Sequence, residues 1–145
     1  MLKGSLPEVF LDTDVCFDIL SKREPHFKYS IRLLELAGQD RISLVIAESG
    51  LANLIYLLFD IYKIDDAQAK LIDFIRACDI ANGGKSVILQ AIHSPFKDKE
   101  DALQYFTGQH CGADYFITRN IKDYKPYAEF LEVLTPKEFM TLIDN

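Results

Sequence analysis

The chain has few of the residues that most often announce a site. Its three cysteines, Cys16, Cys78 and Cys111, are odd in number and far apart, with no CxxC spacing of a zinc or dithiol site. Buried free thiols in a reducing compartment are the expectation. His26, His93 and His110 form no HxxxH or HxxE pattern and are assigned no metal. Nowhere do 18 apolar residues run together, which excludes a membrane-spanning helix. The stretch MLKGSLPEVFLDTDV holds no apolar run long enough for a secretory leader, so a soluble, cytoplasmic protein is expected. With 7 Gly, 5 Pro, no repeat and no low-complexity segment, the 145 residues predict a single domain over 1–145. Positive charge is scarce too. A net charge of −6 argues against a broad basic face for nonspecific nucleic-acid binding, unless several acids are neutralised together at one cation.

The residues that are present alternate between two periods. VFLD is a short buried strand, and apolar residues at 15, 16, 19 and 20 follow it with helical spacing. Pro25 opens a second helical run that ends at Gly38. The run 42–46 predicts a strand, and AESGLANLIYLLFDIY a helix whose core stripe is 51, 54, 55, 58 and 62. After a break near Lys63-Ile64-Asp65, DAQAKLIDFIRA is helical. Residues 78–81 are a weak third strand before the Gly83-Gly84 turn. Helices over SVILQAIHS and KEDALQYFTGQHCG precede the strand DYFIT, and EFLEVL and PKEFMTLI close the chain as strand and helix. Alternating strands and helices predict an α/β domain with a parallel sheet of about five strands, whose ligands bind at the carboxyl ends of the strands.

Four polar groups fall at element ends on that side of the sheet. Asp12 and Asp14 leave the first strand, and an uncompensated Asp12 there is costly. Glu48 lies one turn before the predicted stripe of its helix, where the helix dipole favours an acid. Asp98, Asp101 and Gln104 share one line of a later helix. Thr118-Arg119-Asn120-Ile121-Lys122-Asp123 follows the DYFIT strand directly. Each acid alone reads as a cap or a solvated helix start. Together they predict an oxygen-only site suited to Mg²⁺ or Mn²⁺.

In this order, LDTDV, ISLVIAESGLANL, KDKEDALQYF and DYFITRNIKDY, the sequence resembles the PIN-domain nucleases, from about Val9 to Pro136. The resemblance implies a three-layer α/β/α sandwich and Mg²⁺- or Mn²⁺-dependent cleavage of single-stranded RNA, as in VapC-type toxins of toxin–antitoxin pairs. It also implies an antitoxin partner and a homodimer. Carried over by position, the family's acids fall on Asp12, Glu48 and Asp101, with the fourth on Asp123 or replaced by Asn120, whose carbonyl oxygen can ligate. Thr13, Asp14 and Thr118 would support these ligands. Arg119, Lys122 and Lys125 would hold RNA phosphates. Two alternatives remain: a noncatalytic PIN-like interaction module, and a haloacid-dehalogenase-type phosphohydrolase, because DTDV fits DxDx[TV] with Asp12 as nucleophile. The paired acids that such an enzyme needs on a later strand do not follow DYFIT.

Overall fold

The computed structural model describes residues 5–144, so the first four residues of the stretch considered as a leader lie outside the described residues. Five parallel strands form one sheet in the order β3-β2-β1-β4-β5, with β1 Glu8–Leu11, β2 Ser43–Ala47, β3 Cys78–Ala81, β4 Tyr115–Ile117 and β5 Glu132–Leu134. β1 is central because both of its faces are apolar: Val9, Phe10 and Leu11 are each exposed by no more than 1%. Alternation sends Val9 and Leu11 into one core and Phe10 into the other.

The first core packs against α1 Thr13–Ser21, α2 Phe27–Gly38, α3 Glu48–Ile55, α4 Ala67–Arg76 and α8 Pro136–Asp144. The second packs against α5 Gly84–His93, α6 Lys99–His110 and the short α7 Ile121–Tyr124. The result is the three-layer α/β/α sandwich that the resemblance implied. Between β1 and β4 the strand order reverses direction, which leaves a crevice at the carboxyl edge where loops diverge to opposite faces.

Several boundaries differ from the sequence expectations. α2 starts at Phe27, two residues past Pro25, and runs through Gly38; the chain leaves the helix at Asp40, which takes φ 56°. The stripe expected at 51, 54, 55, 58 and 62 is also displaced. Gly50, Leu54 and Leu58 are buried, whereas Ile55 and Tyr62 are 45% and 52% exposed. The cause is phase: β2 continues through Ala47, so α3 begins only at Glu48, and the ladder widens to a π-helix over Tyr56–Ile61.

Candidate active site

β1 ends at Leu11, and Asp12 follows as the N-cap of α1. Its Oδ1 accepts from the Thr13 N–H at 2.8 Å, and its own N–H continues the pairing with β4 by donating to the Ile117 carbonyl at 2.9 Å. Its Oδ2 accepts from the Thr118 hydroxyl at 2.8 Å, and the Tyr124 hydroxyl lies 2.9 Å away. Thr118 is there because β4 lies beside β1 and continues the ladder through Thr118 N–H to Leu134 O, 3.0 Å. Burial pushes the Asp12 carboxyl up, against the bonds from Thr118 and Tyr124.

Asp101 arrives from the other face of the sheet. Asp98 caps α6, accepting from the N–H groups of Glu100 and Asp101 at 2.9 and 3.1 Å, so the expected solvated helix start describes Asp98 but not Asp101. One helical step turns Asp101 toward the crevice, where its Oδ1 lies 3.1 Å from the Tyr124 hydroxyl. Burial, then the charge of Asp12, raises its carboxyl to about 6. A single O–H cannot donate fully to both acids. With a proton on Asp101 the array is ordered: Asp101 donates to Tyr124, and Tyr124 donates to Asp12.

A hollow of about 330 Å³ opens beside this pair, lined by Asp12, Thr13, Ser49, Asn53, Asp101 and Gln104, with Glu100 at its exposed rim. Glu48 is not in it. Like Ser49 and Asn53 it is exposed on α3, and its own hollow adjoins the first, with Ser49, Ala52 and Leu103 in the walls of both. It accepts from Asn82 Nδ2 at 3.2 Å and lines an adjoining hollow of about 440 Å³. From α3 the hollow beside Asp12 receives Ser49, Gly50, Ala52 and Asn53. No group of three His, Cys, Asp or Glu side chains converges to hold a metal among the described residues.

Asp14 lies on the other side of Asp12, where its Oδ2 accepts from the Arg119 N–H at 3.2 Å and from Asn120 Nδ2 at 3.1 Å. Burial and the charge of Asp12 raise it to about 8. Asn120, considered as a ligand, instead fastens the loop after β4 to α1. Arg119, considered as a phosphate contact, is engaged by Asp18: its Nε donates to Asp18 Oδ2 in a pair whose acid is 1% exposed and whose arginine is 23% exposed. Burial raises the Asp18 carboxyl against that bond and the arginine's charge. The same guanidinium lowers Asp12 and Asp14 by its charge. Arg119 therefore balances buried acids. Lys122, Asp123 and Lys125 are exposed on and just after α7, and the charge of Asp123 reaches Asp101.

Sequence reasoning did not assign Asp18, Asn53 or Tyr124 a part in the site. Asp18 stands four residues after Asp14 on α1, which puts the two acids on one helical face and was a readable signal. Nothing in the residue type of Asn53 or Tyr124 marked either one.

The profile of the family described as PIN domain matches residues 8–122. Ribonuclease VapC1 of Aquifex aeolicus is 28% identical over 137 residues, 91% of this chain and 92% of that protein. Among solved structures, the fold is similar to VapBC2 from Rickettsia felis bound to a DNA fragment from their promoter, with TM-score 0.68 and 20% identity over 88% of this chain and 98% of that one. It is also similar to DNA-bound VapBC from Salmonella typhimurium, with TM-score 0.64 and 15% identity over 90% and 99% of the two chains. A third similarity is to Mycobacterium tuberculosis VapC20, a Sarcin-Ricin loop cleaving toxin, with TM-score 0.58 and 14% identity over 74% and 86%.

Proposed function

The chain belongs to the PIN-domain family, and from that premise we propose that it is, as a single domain, a Mg²⁺- or Mn²⁺-dependent endoribonuclease that cleaves single-stranded RNA as the toxin of a toxin–antitoxin pair. The observation that carries the reading is the convergence of Asp12 and Asp101 on Tyr124 at the carboxyl edge of the central strand. Membership of the family replaces the haloacid-dehalogenase alternative.

The donor set fits such an ion. Mg²⁺ is commonly held by one or two carboxylates, with waters and substrate phosphate oxygens completing the shell, so a third acid is not required. Asp12 and Asp101 supply two carboxylates that burial pushes up, Asp101 also through the charge of Asp12, a cost that a bound cation would relieve. Asn53 and Ser49 add neutral oxygens in the same hollow. When bound, the ion supplies polarisation of water and neutralises charge on the phosphodiester.

The chain's own groups do the positioning. Thr118 and the Thr13 N–H fix the rotamer of Asp12. Tyr124 sets the separation of the two acids and holds one proton between them. Glu100 adds negative charge at the rim and Asp123 near Asp101, and Lys122 and Lys125 lie exposed on and just after α7 where a phosphate backbone would pass.

The partner proposals rest on the VapBC relatives and on apolar surface. Ile55 on α3 and Ile88 and Ile92 on α5 are 45%, 46% and 56% exposed, area that an antitoxin or a second copy in a homodimer would cover. No helix among the described residues is long and apolar enough to cross a membrane, and a cytoplasmic location is part of the proposal.

The test is cleavage of a single-stranded RNA with Mg²⁺ or Mn²⁺, repeated with Asp12→Asn and Asp101→Asn. Loss of cleavage in both variants and in chelator supports the reading. Cleavage that persists in excess chelator overturns the metal requirement, and a wild type that binds RNA without cutting it points to a noncatalytic module.

A further inference from the structure

Gln104 follows Asp101 on α6, is 7% exposed, and lines the same hollow as Asp12 and Asp101. Its Oε1 is buried and meets no hydrogen-bond partner among the described residues. A primary amide taken out of water and left unpaired costs stability, whereas a methionine of similar volume would fill the same place without that cost. The two carboxylates of the hollow bond elsewhere, Asp12 to Thr118, Tyr124 and the Thr13 N–H, and Asp101 through its Oδ1 to Tyr124.

The amide is also held in place. Gly50 of α3 packs directly on it, and a Cβ there would lie 2.5 Å from Gln104 Nε2 and 2.6 Å from Thr13 Oγ1. The missing side chain lets α3 come down on α6 at this point and packs the amide into the wall of the hollow.

We propose that Gln104 is a specificity-determining residue that hydrogen-bonds the ribose 2′-hydroxyl of the nucleotide at the cleaved bond and makes the enzyme select RNA over DNA. The inference rests on the ribonuclease reading, which puts the phosphodiester at Asp12 and Asp101. Three residues of helix separate Asp101 from Gln104, about 4.5 Å of rise, and the sugar attached to the phosphodiester lies within that reach. The matching chemistry is neutral and two-sided. A 2′-hydroxyl both donates and accepts, as an amide does, and it is the group by which a protein tells RNA from DNA. A phosphate only accepts and would leave the carbonyl oxygen of Gln104 unpaired.

The experiment compares two single-stranded oligonucleotides that differ in one atom. The cleavage site is mapped on an all-ribose strand, and a second strand carries 2′-deoxyribose at that nucleotide alone. Wild type should cut the ribose strand with a kcat/KM about tenfold higher. Gln104→Met should remove that preference by lowering the ribose strand to the deoxy value, leaving cleavage of the deoxy strand unchanged. Its melting temperature should equal or exceed that of wild type, and its shift on adding Mg²⁺ should be retained. Gly50→Ala, which displaces the amide without deleting it, should also reduce the preference. A Gln104→Met enzyme that keeps the preference overturns the inference, as does one that loses activity equally on both strands, because Gln104 then serves a step common to both. A wild type that cleaves neither strand overturns the ribonuclease reading and this inference with it.

Discussion

Asp12 and Asp101, brought from opposite faces of the sheet, meet on one phenolic hydroxyl: Tyr124 lies 2.9 Å from the first carboxylate and 3.1 Å from the second. This contact sets the spacing of the two acids through one hydroxyl. Tyr124→Phe should therefore do two things. It leaves a buried carboxylate short of a donor, a loss of about 1 to 3 kcal/mol measurable by denaturant unfolding. It should also reduce RNA cleavage, since the spacing is no longer fixed. A variant as stable and as active as wild type would show the hydroxyl to be incidental.

Replacing Asp101 with Asn should stabilise the metal-free protein. The acid is raised to about 6 by burial and by Asp12, so its charge opposes folding at neutral pH. Solvent screening at a half-buried group limits the gain to about 1 kcal/mol, or about 2 to 4 °C in Tm for a domain of this size. The variant should gain less than wild type from added Mg²⁺. Thermal melts in chelator and in Mg²⁺ measure both; a lower Tm in chelator with an undiminished Mg²⁺ response would place Asp101 outside the cation site.

The same shifts give the apo protein an unusual pH dependence. Asp101 titrates near 6 and Asp14 near 8 in the folded state, against 3.8 for each unfolded. Between those values the folded chain binds more protons than the unfolded one, so stability falls as pH rises from about 4 to 8. Melts in chelator should show Tm decreasing across that range, with the part near pH 6 absent in Asp101→Asn. A Tm that rises from pH 4 to 8 in wild type would contradict the burial of these acids.

Glu48 and Asn53 make a paired contrast on α3. Asn53→Ala should weaken Mg²⁺ binding, read by calorimetry, because it removes a carbonyl oxygen from the hollow that holds Asp12 and Asp101. Glu48→Gln should leave Mg²⁺ affinity within about twofold, since Glu48 faces Asn82 in the adjoining hollow. The reverse ranking would mean that α3 turns when the ion binds.

The cations after β4 should separate in the same way. Arg119→Ala breaks a pair with a fully buried acid and should cost about 3 kcal/mol of stability. Charge reversal at the exposed Lys122 and Lys125 should leave stability nearly unchanged while weakening RNA binding and flattening its salt dependence. Equal affinity and slope in the reversed protein would put the RNA path elsewhere.

The sequence by itself determined the elements and much of the site, because those are set by local periodicity and by chain order. A buried strand followed by Asp12, a helix opening with Asp98 and Asp101, and a strand followed by Thr118 are each written in consecutive residues. Parallel pairing then brings their ends to one edge. What only the tertiary structure decided is which way side chains turn once there. The phase of α3 puts Ser49 and Asn53 in the hollow beside Asp12 and Glu48 in the adjoining one, an angle of 100° per residue that no local pattern fixes to within one position. The pairing of Arg119 with Asp18 joins residues 101 positions apart, and it gives an arginine expected at a phosphate a second part as the counter-charge of a buried acid. Tyr124 shows the same limit: its apolar ring belongs to the core, and only long-range packing puts its hydroxyl between two carboxylates.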